Sequence, residues 1–68
     1  MSLYRVTMPR VVAGLQVVDD RIVKTAPYLK RWRGERLFTL LIWAESHGYK
    51  VEHVHENGTA TQMTAWTL

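Results

Sequence analysis

The lack of cysteine is the feature that most constrains how this chain of 68 residues can fold. A chain this short buries a small core that only just outweighs the entropy lost on ordering it, and disulfides or thiolate-bound zinc are the usual reinforcements. Neither can form without a thiol. We therefore expect apolar packing to hold the fold, with self-association as additional support.

The composition is that of a globular chain, with 47% hydrophobic and 22% charged residues. The longest apolar run, 40–44, is too short to cross a bilayer, and the N-terminal residues lack the charged-then-apolar layout of a signal peptide. We expect one folded domain over residues 1–68, located in the cytoplasm and without a membrane or small-molecule partner.

The charge is distributed unevenly along the chain. Residues 1–36 carry eight Lys or Arg and three acidic residues, a net charge of +5, whereas residues 37–68 carry one Lys and three Glu, a net charge of −2. A basic first half favours an acidic partner such as nucleic acid or an anionic protein surface.

Strand patterns dominate the first 24 residues. Leu3–Met8 reads as a strand that Pro9 ends, which predicts an edge strand. Odd-numbered apolar residues in Val11–Val18, two aspartates and then Arg21–Lys24 predict a hairpin. Gly14 within its first strand predicts a bulge or a close approach of another backbone.

Two helices are predicted next. Thr25 or a neighbour as N-cap, a proline at position 27 and Gly34 as the terminating residue enclose a short helix of about two turns. A second helix is predicted over Glu35–His47, with Gly48 as its stop. Its apolar stripe consists of Leu37, Leu40, Leu41 and Ala44.

The remaining residues predict a second hairpin. Tyr49–Glu56 and Thr59–Leu68 flank Asn57-Gly58, which favours a two-residue type I′ turn. That turn would place Tyr49 opposite Trp66, both facing the second helix. The whole pattern predicts an α+β fold in which a small antiparallel sheet, built from two hairpins, packs against a pair of helices.

Basic residues surround the aromatic residues of the first helix, as in surfaces that contact phosphates and stack on bases. This nucleic-acid-binding set comprises Lys24, Lys30, Arg31, Trp32, Arg33 and Arg36. The alternative is a solvated charged face, with Tyr28 and Trp32 in a buried stripe. A winged helix-turn-helix is the weaker version of the nucleic-acid hypothesis, because the second helix offers few polar groups to base edges.

The second helix is unusually apolar. Phe38 and Ile42 lie four residues apart on one side of its leucine stripe, and Trp43 lies on the other. Either the rest of the fold covers these three side chains, or they form a protein interface that a two-fold dimer would bury.

Catalysis and metal binding are weakly supported. His47, His53 and His55 could approach one another, but no carboxylate or thiolate stands at a familiar ligand spacing. No nucleophile motif or glycine-rich phosphate loop occurs in the sequence. We therefore predict no enzyme activity, no catalytic residue, no bound metal and no cofactor.

One stretch carries a resemblance. The segment 12–15, an acidic turn and then Ile22–Gly34, with its Ala26-Pro27 pair and Trp32, resembles small accessory proteins of bacteriophages that infect actinobacteria. The similarity covers roughly residues 4–54. It implies a phage accessory protein acting in a bacterial host cytoplasm, and it carries over no functional residues. Our leading hypothesis is a non-catalytic module that binds a host or phage protein or a second copy of itself through the second helix or a sheet edge, and the alternative is nucleic-acid binding.

Overall fold

The structure, a computed structural model, describes residues 1–65. Its elements in chain order are β1 (Ser2–Thr7), β2 (Val12–Val18), β3 (Arg21–Thr25), a 3₁₀ helix (Pro27–Trp32), α1 (Leu37–Ser46), β4 (Lys50–Val54) and β5 (Ala60–Met63). The five strands form one antiparallel sheet in the order β3-β2-β1-β4-β5. The predicted α+β class and antiparallel sheet are confirmed. In detail the fold differs from two hairpins against a pair of helices, because β1 lies between the two hairpins and joins them into one five-stranded sheet, and the first helix is a 3₁₀ helix.

The N-terminal strand β1 lies at the centre of this sheet. It pairs with β2 from Ser2↔Val17 to Thr7↔Val12 and with β4 from Leu3↔Val54 to Thr7↔Lys50. The prediction of an edge strand is therefore wrong. Pro9 lies beyond the last paired residue, so its missing N–H costs the ladder nothing.

One face of the sheet carries the core. Tyr4 and Val6 of β1 alternate with outward-facing residues, and their partners on β2 and β4 follow the same two-residue period. α1 and the 3₁₀ helix cover this face. The buried residues are Tyr4, Val6, Ala13, Leu15, Val17, Ile22, Leu29, Trp32, Leu37, Leu40, Leu41, Ala44 and Val51.

The first hairpin forms as predicted, but with different special positions. Asp19 and Asp20 both adopt positive φ, 49° and 68°, the backbone that a two-residue type I′ turn requires. The register steps from Gln16↔Lys24 to Val17↔Ile22, which leaves Val23 as the extra residue of a bulge in β3. Gly14 itself is regularly paired with Arg5.

Both helices lie where the sequence predicts them. The first is a 3₁₀ helix with Ala26 as N-cap, no side-chain cap from Thr25, and a break in helical geometry at Leu29. The second, α1, buries the whole predicted leucine stripe. Gly34 and Gly48 follow the two helices with φ of 88° and 73°, the left-handed conformation expected at a helix end.

The second hairpin is shifted by one residue from its predicted register. Val51 pairs with Met63, and the backbone N–H of His55 donates to the Thr59 carbonyl at 2.8 Å. Three residues therefore form the loop, and only the last of them, Gly58, has positive φ. This loop length arises when a left-handed glycine follows an ordinary turn. Trp66, the predicted partner of Tyr49, lies outside the described residues.

Candidate interaction surfaces

Two large apolar side chains of α1 point away from the core. Phe38 is 44% exposed and Ile42 is 49% exposed, one helical turn apart. We call this pair the apolar flank. A groove of about 500 Å³ beside it is also lined by Glu45, Ser46 and Ala65. The structure thus brings together two of the three side chains predicted as a protein interface.

The third predicted interface residue, Trp43, lies on the opposite side of α1 and is half-buried. Its ring centroid lies 5.3 Å from those of Trp32 and Tyr49 and 5.4 Å from that of His47. We call these four residues the aromatic cluster. The contacts with His47 and Tyr49 are edge-to-face and that with Trp32 is tilted, and aromatic pairs of this kind stabilise a fold beyond the area they bury. Trp43 therefore joins α1 to the 3₁₀ helix rather than to the apolar flank.

The predicted nucleic-acid set divides in two. Lys24, Lys30, Arg33 and Arg36 are exposed, whereas Trp32 is buried and cannot stack on a base. The Arg31 guanidinium lies 5.1 Å from the Trp32 ring and 5.3 Å from the Trp43 ring, as a cation–π contact requires.

The basic side chains around the 3₁₀ helix form no salt bridge with an acidic side chain of the described residues. Among the described residues the one salt bridge is that of Arg5 and Glu52, with a 3.0 Å separation, on the far face of the sheet. Tyr28 is the exposed aromatic of this region, at 74%. Of the two aromatic side chains that the basic residues surround, Tyr28 is thus the exposed one and Trp32 the buried one.

Only two of the three histidines lie together: the ring centroids of His53 and His55 are 4.6 Å apart. His47 belongs to the aromatic cluster, His53 stacks on Tyr4 with ring centroids 4.8 Å apart, and His55 Nε2 lies 2.8 Å from the Thr61 hydroxyl. Within residues 1–65, no group of three His, Cys, Asp or Glu side chains could hold a metal ion.

The two edges of the sheet differ. On β3, Ile22 donates to the Glu35 carbonyl at 2.9 Å and accepts from the Gly34 N–H at 2.7 Å. The Arg21 guanidinium donates to the Gly34 carbonyl at 3.2 Å. Residues 34–36 thus run along β3 and bond to it, and we call β3 the closed edge.

At the other side of the sheet, β5 is the last strand in the described part of the chain. Its residues Ala60, Thr61 and Gln62 are exposed. We call this strand the open edge. Sequence reasoning offered a sheet edge as an interaction surface but did not identify this strand, although a signal was present: residues 57–68 contain no charged side chain. Natural edge strands commonly carry charges that discourage pairing with another chain.

Comparison with known proteins does not assign the chain to a family. No protein-family model, no curated protein and no solved structure matches the chain. The resemblance to phage accessory proteins therefore stays a prediction. In the part of the chain that the structure describes, no helix is long and apolar enough to cross a membrane.

Proposed function

We propose that this chain is a non-catalytic interaction module that forms a two-fold dimer through its apolar flank. The observation that carries the proposal is the exposure of Phe38 and Ile42 on a helix whose opposite side is covered by the aromatic cluster. Burying a large apolar side chain contributes about 1.5–3 kcal/mol. A domain of this size has little stability to spare, so covering both side chains would matter.

A second copy of the chain can cover Phe38 and Ile42 without any other partner. In a two-fold dimer the same patch serves on both sides, so one apolar flank covers the other. The resemblance of residues 4–54 supports a setting in a bacterial cytoplasm during phage infection, with a host or phage protein as a further partner. The proposal needs no catalytic group. The exposed His55–Thr61 contact has no third side chain bonded to the imidazole in the described residues.

Sedimentation velocity tests the dimer directly. We expect the unmodified protein to be dimeric at micromolar concentration and Ile42→Glu to be monomeric, because a carboxylate would be desolvated at the interface. Thr39→Glu is the matched control, since it adds the same charge at an exposed position of the same helix. A monomer at every accessible concentration of the unmodified protein would refute the proposal. Circular dichroism must show that Ile42→Glu is folded.

Nucleic-acid binding is the second candidate, and the exposed basic side chains around Tyr28 favour it. Lys24, Lys30 and Arg33 form no recorded ion pair with a described carboxylate. Free cations beside an exposed aromatic ring suit a phosphate backbone with a stacked base.

A salt series in a gel-shift assay tests this candidate. Binding to single-stranded DNA or RNA should weaken steeply as salt rises, and changing Lys24, Lys30 and Arg33 to Ala should abolish it. Arg31 is left in place because its guanidinium packs on the indoles of Trp32 and Trp43. A lack of retardation of the unmodified protein at low salt would exclude this function.

A further inference from the structure

We propose that the open edge pairs antiparallel with the open edge of a second copy, joining two five-stranded sheets into one. The proposal rests on the proposed dimer and adds to it a backbone interface that the apolar flank alone does not supply. The occupant of the edge is thus a second molecule of this chain.

The hydrogen bonds of β5 define which backbone groups are available. His55 and Thr59 form a bonded pair next to β5, so in an antiparallel ladder Thr61 also bonds toward β4. Ala60 and Gln62 then direct their N–H and C=O groups away from the sheet. The structure records no partner for these groups within residues 1–65. Exposed edge groups of this kind are a template for another strand.

The positions of these groups select one register. If Ala60 pairs with Gln62 of the second copy, both outward-facing residues are bonded in both copies. The two Thr61 residues then lie opposite each other on the two-fold axis, as a non-hydrogen-bonded pair with Cα atoms about 4.5 Å apart.

The absence of charged side chains from β5 favours pairing of this strand with its own copy. A strand that carries Lys or Glu would oppose its own charges across a two-fold axis, whereas β5 brings only Ala, Thr, Gln and Met to the contact. The closed edge lacks this property. Its strand carries Arg21 and Lys24, has a bulge at Val23, and is already bonded to residues 34–36.

The apolar flank is linked to the open edge through Ala65, and Phe38 also lines a second groove with Ala65, Asp20 and Arg36. Ala65, two residues beyond β5, lines the groove beside Phe38 and Ile42, and its N–H donates to the Glu45 carboxylate at 3.3 Å. A two-fold axis perpendicular to the joined sheet keeps both α1 helices on one face. The proposal places the two apolar flanks beside this same axis, so that strand pairing and helix contact form one interface.

Charge substitution at the symmetry axis tests the register. Thr61→Lys should raise the dimer dissociation constant at least about tenfold, because two like charges would stand opposite each other. Thr61→Asp should do the same. An equimolar mixture of the two variants should recover the dimer, which a folding defect would not allow. If each variant alone dimerises as tightly as the unmodified protein, the strand pairing is wrong.

Cross-linking supplies an independent measurement, since the chain has no native cysteine. Thr61→Cys should give a disulfide-linked dimer under mild oxidation, because the opposed Cα distance suits a disulfide. Gln62→Cys is the control. In the proposed register the two substituted residues are diagonal neighbours with Cα atoms about 7–8 Å apart, beyond the span of an unstrained disulfide, so cross-linking should be at least about tenfold slower.

The two proposals can fail separately. If the unmodified protein is monomeric, both are refuted. If it is dimeric, and Ile42→Glu dissociates it while Thr61→Lys and Thr61→Cys neither weaken nor cross-link it, the apolar flank is the interface and the strand pairing is refuted. Cross-linking of Gln62→Cys as fast as Thr61→Cys would refute the register.

Discussion

The two edges of the sheet differ in how their backbone groups are covered. At the closed edge, backbone hydrogen bonds from residues 34 and 35 complete β3, and the 3₁₀ helix brings Leu29 and Trp32 into the core. At the open edge, β5 is short, uncharged and exposed, and the neighbouring side of α1 shows Phe38 and Ile42 to solvent. The difference teaches that the chain completes one edge of its sheet with its own backbone, whereas within residues 1–65 it leaves the other edge exposed.

The largest expected effect comes from breaking the closed side. Trp32→Ala should destabilise the domain by about 3–5 kcal/mol, because it removes a buried indole that packs on Trp43 and beneath Arg31. Phe38→Ala on the open side should cost the monomer less than about 1 kcal/mol, since much of that ring is already exposed. Urea denaturation at a concentration where both proteins are monomeric measures the difference.

Trp32→Phe sharpens this result. The buried Nε1 of Trp32 has no hydrogen-bond partner among the described residues, so losing it leaves no acceptor unsatisfied. The phenylalanine variant should therefore be much more stable than the alanine variant. Equal destabilisation by the two changes would mean that the indole, rather than aromatic packing in general, is required.

An intermediate effect is expected from glycine substitutions on the two sides. Gly58→Ala should destabilise the β4–β5 hairpin by about 1 kcal/mol, because φ is 89° there. Gly14→Ala in β2 is the control, since an added Cβ would meet only the Tyr4 carbonyl oxygen at an ordinary 3.9 Å. It should be neutral or stabilise by about 0.5 kcal/mol. Thermal melts of both variants check this, and a stable Gly58→Ala would contradict the described loop.

The smallest effect concerns pH. Burial, and secondarily the negative charge of Asp20, raises the pKa of Tyr4 above its ordinary value of 10.0. The folded state therefore holds the phenolic proton more tightly than the unfolded state. Stability should be unaffected below about pH 10 and should fall as the pH rises beyond it.

Tyr4→Phe removes the titrating group and should reduce this alkaline loss of stability. Denaturation curves at pH 8 and at about pH 11 provide the comparison. An identical loss in the phenylalanine variant would show that other groups cause it.

Local signals explain which parts of the fold could be predicted. The leucine stripe, Gly34 and Gly48 act within one helix or its end, and all appear as expected. The central position of β1 could not be predicted in this way. Its pairing of Leu3 with Val54 joins residues that are distant in sequence, and no local pattern encodes that choice.

The length of the loop at Asn57-Gly58 could not be predicted from the sequence, for a physical reason. Asn57-Gly58 suits a two-residue type I′ turn, but it also suits a three-residue loop in which only the glycine needs positive φ. The asparagine side chain favours the second, because its Oδ1 accepts hydrogen bonds from the N–H and hydroxyl of Thr59 at 3.1 Å and 2.7 Å. The type I′ backbone occurs instead at the two aspartates, which tolerate it less readily than glycine.

The candidate sites were predictable in part. Helical spacing alone separated Trp43 from Phe38 and Ile42, and the structure keeps that separation. Which indole is buried depends on how the 3₁₀ helix meets α1, so the burial of Trp32 could not be read from charge pattern. The open edge is defined by strand order, which follows from the long-range pairing of β1 and β4.

The central place of β1 has a consequence for biosynthesis. Chain segments leave the ribosome in order, and β1 emerges before β4, yet β4 is one of its two neighbours in the sheet. Until β4 has been synthesised, one side of β1 has no native strand to pair with, and a nascent β-hairpin alone is at best marginally stable. Completion of the sheet is therefore expected to follow translation of β4, and a pause upstream of it would leave an unpaired strand exposed to other chains.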